Sequence, residues 1–292
     1  MMALAFDLFQ APLRWWQHRL MTKGAVLTTG ANSGIGLHTA IELAKRGYRS
    51  IGTVRDAKKA DVLLEAAADA GVTVEAEILD VTDAQGCADL LGDLELYGLV
   101  NNAGYSNTGA VEDTPDDDAR HQLETMTIAP MRLARLALPA MRANGGGRIV
   151  NVSSIYGRTT TPLTGWYQAS KHALEAVSDA LRMEVASSGV KVILIEPGGF
   201  RTGIWEDNQE AVGRHEGSRF TRAYERELLL TRLAQPFMGH PRQVARVIGH
   251  AVSTRVPRAR YLVGPDARIL ALIEQMTPTL VKDTVIRLGL GL

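Results

Sequence analysis

Residues 28–36 read "TTGANSGIG", a glycine-rich turn between two segments of opposite character. Before it, "GAVLTTG" (24–30) is a β-rich run of the kind buried inside a sheet, and after it "IGLHTAIELAKRG" (35–47) is helical, with Gly47 as its stop. Gly30, Gly34 and Gly36 fall in a T-G-x-x-x-G-x-G arrangement. Glycines there let the backbone approach a pyrophosphate, and the helix start supplies unpaired N–H groups to it. A tight strand–helix turn with no ligand also carries glycines, so the segments that follow decide the matter.

Outward from this turn, short β-rich runs alternate with Ala/Leu-rich helical segments. "YRSIGTV" (48–54), "VTVEAEILD" (72–80), "YGLVNNAG" (97–104), "GGRIVNVSS" (146–154) and "VKVILIEP" (190–197) read as the second to sixth strands. Helices are expected over 61–70, 117–144 and 166–189, then over 241–252. A further strand follows at "ARYLVG" (259–264), and one apolar helix closes the chain. Strands alternating with helices imply an α/β fold, a doubly wound parallel sheet covered on both faces. No repeat or linker interrupts it, so residues 22–292 read as one Rossmann-type domain. Residues 199–239 break the alternation just after a strand end, where open α/β sheets bind ligands, and read as a helical substrate lid.

Composition excludes several classes. Lysine plus arginine equals aspartate plus glutamate at 32 each, so no charge excess points to nucleic acid. Cys87 is the single cysteine, which excludes an intrachain disulfide and a cysteine-based metal cluster and implies a reducing, cytoplasmic setting. The seven histidines show no HExxH pairing, so no metal site is expected. Residues 1–21 form an amphipathic extension, "MMALAFDLFQAPLRWWQHRL" and Met21, with no apolar run long enough to span a bilayer. The extension reads as a short helix packed on its own domain or a neighbouring subunit. Peripheral membrane contact through residues 1–20, with Trp15 and Trp16 at headgroup depth, is the alternative. Met21 is an alternative start.

Four more motifs follow the glycine turn in order: "LDVTD" (79–83), "NNAG" (101–104), "SS…YQASK" (153–171) and "PGGFRT" (197–202). Together the five resemble the short-chain dehydrogenase/reductase family, on its hydroxysteroid and retinol dehydrogenase side, from residue 24 to about 205. The resemblance implies roles. Gly30, Gly34 and Gly36, with Asn32, Ser33 and Ile35 between them, cradle dinucleotide phosphates. Asp80 accepts from the adenine amino group beside Val81. Asn101 positions the fourth strand, while Asn102, Ala103 and Gly104 pass under the cofactor. Pro197, Gly198 and Thr202 border the nicotinamide. Tyr167 is the general acid in reduction and base in oxidation, Lys171 holds the nicotinamide ribose, and Ser154 hydrogen-bonds the substrate carbonyl. Twelve residues separate Ser154 from Tyr167, the family spacing, which selects Ser154 over Ser153.

Tyrosine and lysine titrate near pH 10 and 10.4, roughly, when unperturbed. An ammonium beside the phenol, with an oxidised nicotinamide, is expected to lower the tyrosine value. Cofactor choice follows from "IGTVRDAKK" (51–59), where Val54 and Arg55 stand at the strand end that carries an acidic residue in NAD-specific members. A guanidinium pairs with a 2′-phosphate, so NADP(H) is expected over NAD(H). Arg55 stacking on adenine, or Asp56 taking the acidic role, would weaken that reading.

One departure stands out. The family pattern F-E-x-N-x-x-G-P appears here as "LETMTIAP" (123–130), which puts Met126 where a tetrad asparagine belongs and Ala129 at the glycine. A thioether is a weak acceptor for a relay water. The expected function is an NADP(H)-dependent oxidoreductase acting on a hydrophobic alcohol or ketone. The alternative is an NADP(H)-binding sensor or scaffold with little turnover. The resemblance also implies a homodimer or homotetramer, paired through the two long helices.

Overall fold

The computed structural model describes residues 23–203 and 217–292. The N-terminal extension and residues 204–216 of the expected lid lie outside the described residues. Seven strands form one parallel sheet: β1 (Ala25–Thr29), β2 (Arg49–Val54), β3 (Glu75–Ile78), β4 (Leu96–Asn101), β5 (Gly147–Val152), β6 (Val190–Pro197) and β7 (Arg260–Val263). Their order is β3-β2-β1-β4-β5-β6-β7. The order reverses between β1 and β4, which opens a crevice at their carboxyl ends.

Alternation along the strands builds two cores. Leu27, Leu99 and Ile149 enter one cluster, and their neighbours Val26, Val100 and Val150 enter the other. The first face is covered by α3 (Ala84–Gly92) and α5 (Ala129–Ala143), the second by α1 (Gly34–Lys45) and α8 (Pro241–Ser253). α2 (Ala57–Asp69) covers the β2 side through Leu63 and Ala67. It starts earlier than the sequence suggests because Asp56 caps it, accepting from the Lys59 N–H at 2.9 Å. α3 was not expected at all.

The helix expected over 117–144 is broken. α4 (Asp116–Leu123) runs into a π-turn at Glu124–Ile128 before α5 resumes. Pro130 has no N–H to give the Met126 carbonyl four residues back, and a wider turn absorbs the missing bond. α6 (Gly165–Glu184) then crosses the sheet and ends in a 3₁₀ turn.

The lid is clamped at its two ends. Gly239 N–H donates to Gly199 O and Arg201 N–H to Gly239 O, each at 3.0 Å. Inside it, α7 (Thr221–Ala234) buries Tyr224, whose hydroxyl accepts from Ala110 N–H at 2.6 Å and donates to Asp113 at 2.8 Å. That ties the lid helix to the loop after β4. The chain closes with two helices rather than the one expected, α9 (Pro265–Met276) and α10 (Thr279–Leu290), because Pro278 interrupts the run. Leu290 packs back on Ala223 and Tyr224. Among the described residues no helix is long and apolar enough to cross a membrane.

Candidate active site

The glycine turn lies at the mouth of the crevice. Gly30 and Gly34 have φ of +66° and +53°, which L side chains rarely adopt. Gly36 has an ordinary backbone, but a Cβ on it would collide with the Gly30 carbonyl oxygen and sit 2.5 Å from Asn102 Nδ2. Asn102 fixes the turn from β4, donating from Nδ2 to Thr29 O at 2.9 Å and Gly30 O at 3.2 Å. Thr29 answers through its hydroxyl, which accepts from the Asn102 and Ala103 N–H groups at 3.0 Å each. Thr29 is the threonine of the T-G-x-x-x-G-x-G run, to which the sequence reading gives no role of its own. Asn101 does tie the fourth strand, donating to Asn151 Oδ1 at 2.8 Å and Pro130 O at 3.2 Å.

A cleft of about 680 Å³ extends from this turn. Of the expected residues, Gly30, Asn32, Ser33, Gly34, Ile35, Arg55, Asp80, Val81, Asn102, Ala103, Gly104 and Thr202 line it. Gly36, Pro197, Gly198, Ser154, Tyr167 and Lys171 do not. Size and lining suit a dinucleotide, and a Cβ at Gly30, Gly34, Gly36 or Gly104 would press on Ala103, Thr202, the Gly30 carbonyl or Met126, respectively. Burial pushes the Asp80 carboxyl up, but the Thr82 N–H and hydroxyl, at 2.9 and 2.7 Å, hold it below its usual range. Sequence reasoning did not include Tyr105, Asp118, His121 and Thr125, which also line the cleft. The last three come from α4 and the π-turn, where the sequence had suggested an unbroken surface helix.

Asp56 is engaged elsewhere. Besides capping α2 it pairs with Lys59 at 2.9 Å. Arg55 lines the β2 end of the cleft, and Asp56 does not.

Ser154, Tyr167 and Lys171 meet at the ends of β5 and α6. Ser154 Oγ accepts from Tyr156 N–H at 3.1 Å, and its hydroxyl favours the ionised form of the Tyr167 phenol. Ser153 turns the other way, towards Gly157 and Glu175. Lys171 Nζ stands 5.8 Å from the Tyr167 ring centroid and donates to Val152 O at 2.8 Å. Tyr156 meets the Tyr167 ring edge-on, centroids 6.3 Å apart. The start of α6 is fixed by Gln168, whose amide donates to Thr164 Oγ1 at 2.6 Å and Thr161 Oγ1 at 2.8 Å. Leu163, just before it, takes a left-handed φ of +68° and accepts from Gly109 N–H at 2.7 Å.

The chain alone does not lower Tyr167. Burial pushes Tyr167 up to about 12, against the pull of Ser154, and pushes Lys171 down to about 8, against the pull of Glu175. In the chain alone desolvation outweighs the pull of Ser154, so the phenol is not lowered.

Met126 is buried, and its Sδ accepts from Gln122 Nε2 at 3.5 Å and Ser170 Oγ at 3.8 Å. A Cβ on Gly104 would touch its methyl at 3.2 Å, so the thioether packs beneath the cleft floor. Thr127 bonds Ser170 O at 2.9 Å. The Thr125 hydroxyl is buried without a hydrogen-bond partner among the described residues.

On the far side, Pro197 ends β6 and Gly198 N–H donates to Val263 O at 2.9 Å. A side chain at Gly198 would collide with the Asp266 carboxylate, which accepts from Gly199 N–H at 2.5 Å.

A sequence profile described as short chain dehydrogenase matches residues 24–213. The uncharacterized oxidoreductase YusZ of Bacillus subtilis (strain 168) is 34% identical over 277 residues, covering 91% of this chain and 98% of the relative. Retinol dehydrogenase 5 of Homo sapiens is 31% identical, with 89% and 87% covered. A short-chain dehydrogenase structure from Streptomyces avermitilis superposes with a TM-score of 0.73 at 31% identity, over 90% of this chain and 97% of that one. An actinorhodin polyketide ketoreductase structure with NADPH superposes at 0.72 and 27% identity, over 82% and 95%. With a glycine-turn cleft at the sheet's switch point, a Ser–Tyr–Lys cluster beside it and relatives that match along most of their length, the chain belongs to the short-chain dehydrogenase/reductase family, oxidoreductases that act on CH–OH groups.

Proposed function

We propose that the chain is an NADP(H)-dependent oxidoreductase for hydrophobic alcohols and ketones, with Tyr167 as its general acid and base. The convergence of Ser154, Tyr167 and Lys171 where β5 ends and α6 begins, with Lys171 5.8 Å from the Tyr167 ring and donating to Val152 O, carries this reading. Bound in the cleft, the nicotinamide supplies or accepts the hydride. In reduction the Tyr167 O–H bond breaks and the substrate oxygen gains that proton, while Ser154 orients the carbonyl. In oxidation the proton returns to the phenolate. Lys171, still charged below about pH 8, stabilises that phenolate.

Arg55 supports NADP(H), since its guanidinium suits a 2′-phosphate and Asp56 is engaged as a cap. The NADPH in the ketoreductase structure is consistent with this. Lid and relatives support an apolar substrate: α7 carries Leu228, Leu229, Leu230 and Leu233, and the retinol dehydrogenase match spans most of the chain.

The glycine cradle has its own test. Gly36→Ala is expected to abolish NADPH binding by fluorescence titration and to cost about 1–3 kcal/mol in stability from overpacking. Met126→Asn addresses the departure from the family pattern. Gln122 Nε2 already donates to position 126, and the buried Gln122 Oε1, without a partner among the described residues, can accept, so an amide can be satisfied there. Its kcat is expected to equal or exceed the parent's; complete loss would show that the methionine has a role of its own.

A further inference from the structure

Lys171 is 6% exposed, and among the described residues its one hydrogen bond is to Val152 O. An ammonium carries three donors and is expensive to bury without an opposite charge. One turn further along α6 stands Glu175, itself 8% exposed. Residues four apart on a helix share a face. Glu175 Oε2 lies 3.2 Å from Arg260 on β7, while its buried Oε1 has no hydrogen-bond partner among the described residues. Arg260 does not saturate it, because that guanidinium is shared with Asp179 on α6 at 2.5 Å and Glu196 on β6 at 3.2 Å. Arg158, after β5, pairs with Glu196 at 2.7 Å. Ser153 completes the surroundings. A Cβ on Gly157 would come within 2.8 Å of Ser153 Oγ and 2.9 Å of Glu175 Cγ, so the chain closes on this carboxyl as tightly as a glycine permits.

We infer that Glu175 is a positioning residue for the acid–base pair: its carboxylate is the buried countercharge that keeps Lys171 an ammonium. The inference rests on the roles given to Tyr167 and Lys171 above. No bond is made or broken at Glu175; it acts through Lys171 alone. Burial drives Lys171 towards the neutral amine, and Glu175 is the charge that opposes this. Burial also pushes the Glu175 carboxyl up, while Ser153 and Arg260 pull it back towards the ionised form. Neutralising Glu175 therefore leaves Lys171 with desolvation alone, and its charge is lost at a lower pH.

The test is the titration of Lys171 in the cofactor-free protein, by NMR of ¹³C/¹⁵N-lysine-labelled chain with the resonance assigned through Lys171→Met. In Glu175→Gln the midpoint is expected to fall by about half a pH unit or more. A smaller fall, no change or a rise overturns the inference. Glu175→Asp keeps the charge and is expected to hold the midpoint near the parent's. Should Glu175→Gln not fold, Glu175→Ala in the same measurement serves instead, with the same criterion. This readout needs no turnover, so it stands apart from the enzymatic reading, which Tyr167→Phe tests. In turnover assays, the alkaline limb of reduction is expected to move to lower pH in Glu175→Gln with Glu175→Asp restoring it; an unmoved limb contradicts the inference.

Discussion

Tyr167→Phe is expected to lower carbonyl-reductase kcat by roughly 10²- to 10⁴-fold, the usual contribution of a positioned proton donor. The phenol is buried against Ser154 and Tyr156, so phenylalanine fills the same space and removes the hydroxyl alone. NADPH affinity should stay near the parent's, because the phosphate-binding glycine turn and Arg55 are untouched and the ring is kept. The variant should also fold, with a stability change on the order of 1 kcal/mol for one lost hydrogen bond. Steady-state kinetics and cofactor titration on the same preparation check both halves. Parent-like turnover in the variant would rule out Tyr167 as the acid.

The second large effect is expected at Arg55. In Arg55→Glu a carboxylate replaces the guanidinium at the end of β2, where the strand otherwise presents Thr53 and Val54. A hydrogen bond to a charged group contributes about 1.5–3 kcal/mol, so NADPH binding should weaken by roughly 10- to 100-fold. NADH carries no 2′-phosphate, and its binding should be unchanged or improved. Equal weakening of both cofactors would instead mean that Arg55 stacks on the adenine. Titrating both cofactors into parent and variant separates the outcomes.

Much of this was legible before any coordinates. The glycine turn, the strand periodicity and the ordered motifs imply a parallel sheet with a switch-point crevice, and twelve expected residues line that crevice. What the sequence hid has identifiable causes. α3 is nine residues long and contains Gly86 and Gly92, so it lacks the sustained period that marks a helix, although Asp83 does cap it. The π-turn at Glu124–Ile128 follows from the proline at 130, a positional effect on one backbone bond that side-chain pattern does not display. That turn brings Thr125 to the cleft and sets Met126 beneath Gly104. The rise of Tyr167 and the fall of Lys171 in the chain alone are not legible in the sequence, because spacing shows that two groups are neighbours and not how far each is desolvated. Burial proved the larger influence on both.

The central claim is that this site moves hydride between a nicotinamide and a hydrophobic carbonyl while Tyr167 handles the proton. The most direct test is to incubate the parent protein with NADPH deuterated at the transferring C4 position, in separate reactions with a retinoid aldehyde, a steroid ketone and a long-chain fatty aldehyde. Products are then examined by mass spectrometry. The expected result is deuterium on the carbinol carbon of at least one product, formed in the parent and lost in Tyr167→Phe. No labelled alcohol from any of the three, with NADPH binding intact, would contradict the account.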